Sequence, residues 1–271
     1  MNRFFTPQDP LEAIIQQTLK DHKVTNTKHI ISGWTNIVIE VTTNKGTFFF
    51  RFPRNPFWSK MIVKDAKFCN YIEGKTSFYT PQMTLHYDER QRPFSVHTKI
   101  EGYALTDRIY HLSHTTITAT AYSIAKFLKE LQAIDLNTAP TEAKYPLSKF
   151  LKELDDRHYS THLTEDHKYI KKSESQPTLV HGDFNLGNVL LNDKDEVVGI
   201  IDFCFAGIGH PHMDTSRILS RPTHPVFEET ILSQFDDNQQ ILKMRDIWRR
   251  IDAGYIAHMR RAHPEIIIPK T

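Results

Sequence analysis

The sequence predicts an α+β protein of two lobes: a small five-stranded antiparallel N-terminal lobe with one inserted helix, and a larger, mainly helical C-terminal lobe. Three observations predict it. Residues 30–52 are dense in β-branched and aromatic residues, broken by Gly33 and by Asn44-Lys45-Gly46. Residues 114–134 carry Ile117, Ala121, Ile124, Ala125, Leu128 and Leu131 at helical spacing. No linker rich in Gly and Ser separates these textures, so the boundary is a short hinge near 97–102, with lobes over 1–98 and 99–271.

Element by element, Asp9-Pro10 predicts a helix start, with Asp9 as N-cap and Pro10 in the first turn. Leu11, Ile14, Ile15 and Leu19 form its apolar stripe. Strands are expected near 29–33, 36–43 and 47–52, the last two joined at the 44–46 turn. A helix follows over 59–73 and stops at Gly74. Strands near 83–87 and 94–100 complete the lobe. Along the third strand, alternation puts Phe48, Phe50 and Phe52 on one face and Phe49 and Arg51 on the other. Beyond Gly102, helices are expected at 114–134, 146–157, 163–172 and 238–262, around a strand-rich island at 178–202.

Composition narrows the function classes. Of 271 residues, 39% are hydrophobic and 24% charged, the profile of an ordinary soluble domain. Lys and Arg number 34 against 32 Asp and Glu, which argues against a nucleic-acid partner. Arg249-Arg250 and Arg260-Arg261 read as a solvated helix face. Cys69 and Cys204 are the only cysteines, so neither a disulfide framework nor a zinc site is expected. Pairings such as His210 with His212, or His158 with His162, arise by chance in a chain with 15 histidines. No apolar run reaches the ~20 residues of a membrane span, and the opening residues do not form a signal peptide. A monomer in the reducing cytoplasm, without a membrane partner, is expected.

The chemistry concentrates in 178–203. Val189-Leu190-Leu191 and residues 197–201 are apolar strands around the polar turn 192–196. A hairpin centred near residue 195 sets Asn188 opposite Asp202, and cross-strand neighbours sit about 5 Å apart. Two hard oxygen donors at the open end of a hairpin suit Mg²⁺. Asp183 lies in the loop entering the same hairpin, which Gly182 and Gly187 allow to bend. That is a suitable place for a base that orients a hydroxyl nucleophile. Asn and Asp also cap strands and form turns. Four such residues, His181, Asp183, Asn188 and Asp202, in a strand–loop–hairpin context nonetheless favour chemistry.

His181-Gly182-Asp183-Phe184-Asn185-Leu186-Gly187-Asn188, followed by Ile200-Ile201-Asp202-Phe203, resembles the catalytic loop and metal-binding segment of the aminoglycoside phosphotransferase and choline kinase superfamily. Those are small-molecule kinases with a protein-kinase-like fold, and the roles follow the protein-kinase template. The resemblance implies Asp183 as catalytic base, Asn188 and Asp202 as Mg²⁺ ligands, His181 as scaffold, and Asp214 as a brace for the loop. In that family a third-strand lysine faces the phosphates and a helix acid orients it. Here Arg51 stands in the lysine's position, with Asp65 fourteen residues on as its partner, or Glu73 near the helix end. Ser32, Gly33, Thr35 and Asn36 would cover the phosphates, and Thr98 and Ile100 belong to a hinge, Thr98-Lys99-Ile100-Glu101-Gly102, that reads the purine. The wording Gly33-Trp34-Thr35-Asn36 and that of the hinge are closest to aminoglycoside 2''-phosphotransferases.

The resemblance implies ATP or GTP with Mg²⁺ as cofactors and a small-molecule hydroxyl acceptor of aminoglycoside type. Glu228, Glu229, Asp236 and Asp237 are the candidate carboxylates for a polycation. A choline, sugar or macrolide acceptor shares every catalytic residue and stays open. A silent kinase-like binding module is a further reading, against which stand the intact Asp183, Asn188 and Asp202. No Ala-Pro-Glu segment follows Asp202, which argues against a protein substrate.

Overall fold

The β-branched and aromatic run folds as a sheet in a computed structural model that describes residues 4–30, 35–158 and 164–262. Its strands are β1 (Val24–Ile30), β2 (Asn36–Thr43), β3 (Gly46–Pro53), β4 (Met83–Tyr87) and β5 (Pro93–Thr98), ordered β1-β2-β3-β5-β4. Every neighbouring pair is antiparallel. One face presents Ile37, Ile39, Val41, Phe50, Phe52, Phe94 and Val96 to Leu11, Ile15 and Leu19 of helix α1 (Leu11–Thr18) and to Phe5. Phe52 and Phe94 stack at 5.2 Å between ring centroids. The alternation along β3 therefore leaves Phe49 and Arg51 on the opposite face, as expected from the sequence.

Helix α2 (Pro56–Ile72) is inserted between β3 and β4. It starts three residues before the expected position because Asn55 caps it, its carboxamide oxygen accepting from the Trp58 N–H at 3.0 Å, with Pro56 in the first turn. The first strand runs earlier than predicted, and residues 31–34 lie outside the described residues. The strand expected over 94–100 ends at Thr98. Asp9 is not an N-cap. Its carboxylate accepts from the Thr6 backbone N–H at 2.7 Å and the Thr6 hydroxyl at 3.0 Å, and it pairs with Arg92 at 2.8 Å. No side chain caps α1: a nearly buried arginine from the β4–β5 turn holds the acid instead.

The second lobe runs through β6 (Tyr103–Ala104), α3 (Leu105–Arg108), α4 (His114–Gln132), α5 (Leu147–His158) and α6 (Thr164–Ser173). It continues with β7 (Thr178–Val180), β8 (Val189–Leu191), β9 (Val197–Ile200), β10 (Gly207–Gly209), α7 (Met213–Ile218), α8 (Pro225–Leu232) and α9 (Asn238–Ala262). Strand β8 sits between β6 and β9, and β7 pairs with β10. Ser113 caps α4 by accepting from the Thr116 N–H at 3.1 Å. The apolar stripe of α4 packs in one core with Phe184, Val189, Ile200 and Phe203, and that core takes in Phe68 and Ile72 of α2. Phe68 stacks on Phe203 at 5.8 Å. Helix α2 is thus rooted in the larger lobe, which brings its polar face to the segment after β9. Among the described residues, no helix is long and apolar enough to cross a membrane.

Candidate functional site

The hairpin forms with a register one step from the expected one. Val189 pairs with Ile200 and Leu190 with Gly199, and the Ile201 N–H donates to the Asn188 carbonyl at 3.0 Å. Asn188 therefore faces Ile201, not Asp202. The turn supplies the reason. The Asn192 side chain accepts from the N–H groups of Lys194 and Glu196, and Asp195 takes a positive φ of 61°. This closes a three-residue loop with a bulge at the start of β9. Asp202 reaches the cleft by a different device, its own left-handed φ of 65°, which turns the chain out of the strand.

The loop before the hairpin is held from behind. Asp214, buried at the start of α7, accepts from the His181 N–H at 2.7 Å and the Gly182 N–H at 2.8 Å. Burial pushes the Asp214 carboxyl upward; the His181 side chain and the two amide donors pull the other way. His181 is fully buried. Its Nε2 donates to the Ile201 carbonyl at 2.9 Å, and its Nδ1 accepts from the Asp183 N–H at 3.3 Å. One imidazole therefore ties the loop to the end of β9. Gly182 has φ 80°, and a Cβ there would stand 2.3 Å from the Phe205 carbonyl oxygen. Gly182→Ala should destabilise the fold by at least ~1–3 kcal/mol, from the backbone conformation alone. A denaturant melt checks this, and an unchanged midpoint would contradict the close approach.

Asp183 points into the cleft with 23% of its side chain exposed. Its Oδ1 accepts from Arg217 Nε at 3.0 Å and Nη2 at 2.6 Å. Asn188 donates its amide nitrogen to the Asp183 carbonyl at 2.9 Å, which leaves its carboxamide oxygen as the donor atom for a cation. Half of the Asp202 side chain, 49%, is reachable from the cleft. The protein packed around it still raises its pKa; Arg51 opposes this, while Asp65 and Asp183 add to it. One carboxylate and one carboxamide match the sparse protein contribution that Mg²⁺ takes when phosphates and water complete its shell.

Arg51 meets the same cleft from the sheet. Its Nη1 donates to Asp65 Oδ2 at 2.6 Å, and its Nη2 lies 3.7 Å from Asp202 Oδ1. Burial opposes the guanidinium charge, but Asp65 and Asp202 hold its pKa above the ordinary value. Of the two acids weighed from the sequence, Asp65 is the partner. Glu73 sits at the end of α2 and accepts from Gln82. Beside Arg51 on the cleft face, His97 of β5 lies across from Phe49. Burial, with Arg51 second, lowers its pKa to about 4, so the ring is neutral at physiological pH.

Among the phosphate-covering candidates, Ser32 and Gly33 lie outside the described residues. Thr35 and Asn36 are joined by a 2.8 Å side-chain hydrogen bond, and Asn36 is buried where β2 begins. In the hinge, the Thr98 carbonyl accepts from His97 Nδ1 at 3.1 Å, and Ile100 packs over Gly199 of β9. Glu228 is paired with Arg245 at 2.9 Å. Glu228 and Glu229 border a shallow groove with Pro225 and Leu232 that shares no residue with the cleft. Asp236 and Asp237 act on His212, and Asp237 also on His210. His210 follows Gly209, which pairs with Thr178, the end of β7 away from Asp183.

Sequence reasoning missed two buried basic residues. Arg217 is tied to Asp183 and, through Nη1, to Asp252 of α9 at 2.6 Å. Lys64 of α2 donates to the carbonyls of Cys204, at 3.3 Å, and Ala206. Burial lowers its pKa to about 8. An apolar helix stripe interrupted by Lys64-Asp65 was the available signal for the second; nothing local announced the first.

The model of the phosphotransferase enzyme family matches residues 26–253. Among solved structures, the GDP and kanamycin complex of APH(2'')-IIIa superposes with a TM-score of 0.76 at 20% identity, over 95% of this chain and 94% of that one. ADP-bound APH(2'')-Ib, an aminoglycoside phosphotransferase, gives 0.63 at 18% identity, over 92% and 91%. The apoenzyme of the macrolide 2'-phosphotransferase MphH from Brachybacterium faecium gives 0.63 at 13% identity, over 96% and 99%. At these identities the likeness is one of fold. No match is found among curated protein sequences.

Proposed function

Because this chain belongs to the phosphotransferase enzyme family, we propose that it is a small-molecule kinase that moves the γ-phosphate of ATP or GTP to an alcohol of an aminoglycoside-like acceptor. The observation that carries the reading is the convergence of Asp183, Asn188, Asp202 and Arg51 on one cleft between the sheet and the catalytic loop. Phosphoryl transfer asks a protein mainly for positioning and charge neutralisation. Asp183 accepts a hydrogen bond from the acceptor hydroxyl and aligns it. Arg51, fixed by Asp65, neutralises phosphate oxygens with a fork that lysine lacks. Asn188 and Asp202 would hold Mg²⁺, which supplies further charge neutralisation when bound. Thr35 and Asn36, with Ser32 and Gly33, would cover the phosphates, and the Thr98–Ile100 backbone would face the base.

A second reading keeps the chemistry and changes the acceptor to an uncharged polyol or macrolide. The Glu228–Arg245 pair and the position of Asp236 and Asp237 favour it, since those carboxylates are not gathered around Asp183. Nucleotide consumption with ATP and with GTP, against aminoglycosides, choline-like alcohols, sugars and macrolides, tests both. Turnover above the water background with kanamycin or gentamicin supports the first; turnover only with uncharged acceptors supports the second. No acceptor-dependent turnover in the whole panel would remove the kinase reading.

A further inference from the structure

We propose that Arg217 is a positioning residue that fixes which oxygen of Asp183 meets the acceptor hydroxyl; this rests on the reading of Asp183 as the base. Arg217 is buried, with 8% of its side chain exposed. It spends two N–H groups, Nε and Nη2, on the same atom, Asp183 Oδ1. Those two bonds occupy the lone pairs of Oδ1 and leave Oδ2 as the oxygen able to accept from a hydroxyl. A carboxylate torsion is otherwise broad and roughly two-fold, so an unclamped Asp183 would sample orientations that miss the acceptor.

The arginine is itself fixed. Its Nη1 donates to Asp252 at 2.6 Å and to the Ser220 hydroxyl at 3.3 Å, and its guanidinium carbon lies 5.2 Å from the centre of the Trp248 ring. Asp252 and Trp248 both lie on α9, and Ser220 follows α7. Two helices of the larger lobe thereby set the torsion of one side chain in the loop. In a loose phosphoryl-transfer transition state the base has little bond-making to do, so orientation outweighs basicity.

The experiment follows formation of ADP from Mg-ATP and of GDP from Mg-GTP, with water and with the acceptor panel above, for wild type, Asp183→Asn, Arg217→Ala, Arg217→Met and Arg217→Lys. Thermal melts identify the folded variants. Arg217→Ala and Arg217→Met should lower kcat about 10–100-fold, the scale of a misplacement near 1 Å, while the nucleotide KM stays within about two-fold. Arg217→Lys should recover part of kcat, since one ammonium donor still reaches Oδ1. Guanidinium at low millimolar concentration should raise kcat of Arg217→Ala and leave Asp183→Asn unchanged. A folded Arg217→Ala or Arg217→Met with wild-type kcat overturns the positioning role alone. Equal losses in kcat and nucleotide affinity, with no gain from lysine or guanidinium, do the same. An Asp183→Asn variant as active as wild type, or a wild type with no turnover, overturns the base assignment beneath it.

Discussion

Asp183→Asn is expected to fold, to bind nucleotide as the wild-type chain does, and to turn over about 10²–10⁴-fold more slowly, the range a positioned acid or base contributes. The substitution is nearly isosteric. The loop stays braced because the two N–H groups that Asp214 accepts are backbone groups of His181 and Gly182. What changes is the acceptor capacity of one side chain. The carboxamide offers one oxygen, and the paired guanidinium of Arg217 claims it. The nitrogen that replaces the other oxygen can only donate, so an alcohol in the cleft would meet the wrong partner. Steady-state kinetics with an accepted alcohol, alongside a nucleotide titration, reads both halves. Retained turnover would remove the base assignment; lost nucleotide binding would point to a broader collapse of the cleft.

Arg51→Ala should cost about 3–5 kcal/mol of stability, because it strands a buried carboxylate without its cation. Asp65 is fully buried, and the pair is closed at 2.6 Å. Among the described residues, the other donor to Asp65 is the Cys69 thiol at 3.6 Å, a weak one. Replacing both partners with apolar residues, Arg51→Met with Asp65→Leu, should recover much of that loss, since neither charge is then left alone. The double variant should still lack catalysis, since the cation proposed to face the phosphates is gone. Urea unfolding of the single and double variants separates the two effects. A single variant that loses less than about 1 kcal/mol would show that Asp65 finds another donor or takes up a proton.

The parts of the fold and site that were legible in the sequence are those set by local patterns. The period-two run of phenylalanines placed Arg51 on the cleft face, and the helical spacing of Ile117 to Leu131 placed α4. A polar turn between two apolar runs gave the hairpin. Its register needed more, because a bulge at the start of β9 and a left-handed Asp195 shift the pairing without altering the apolar pattern. Asp9 looked like a helix cap because sequence neighbours cannot show Arg92 arriving from 83 residues away. Arg217 was invisible for the same reason. It lies 34 residues from Asp183, on a six-residue helix with no polar period of its own. Charge runs were the weakest guide: Glu228 and Glu229 border a groove that shares no residue with the cleft.

Lys64 carries a mechanical consequence. Its ammonium leaves α2 and ends on two carbonyls just past Asp202, so the helix bearing Asp65 and the strand end bearing Asp202 are stapled together through the protein interior. Any swing that parted them would strand a cation away from water. Any motion in this part of the fold must therefore carry α2 and the 202–206 segment as one rigid unit.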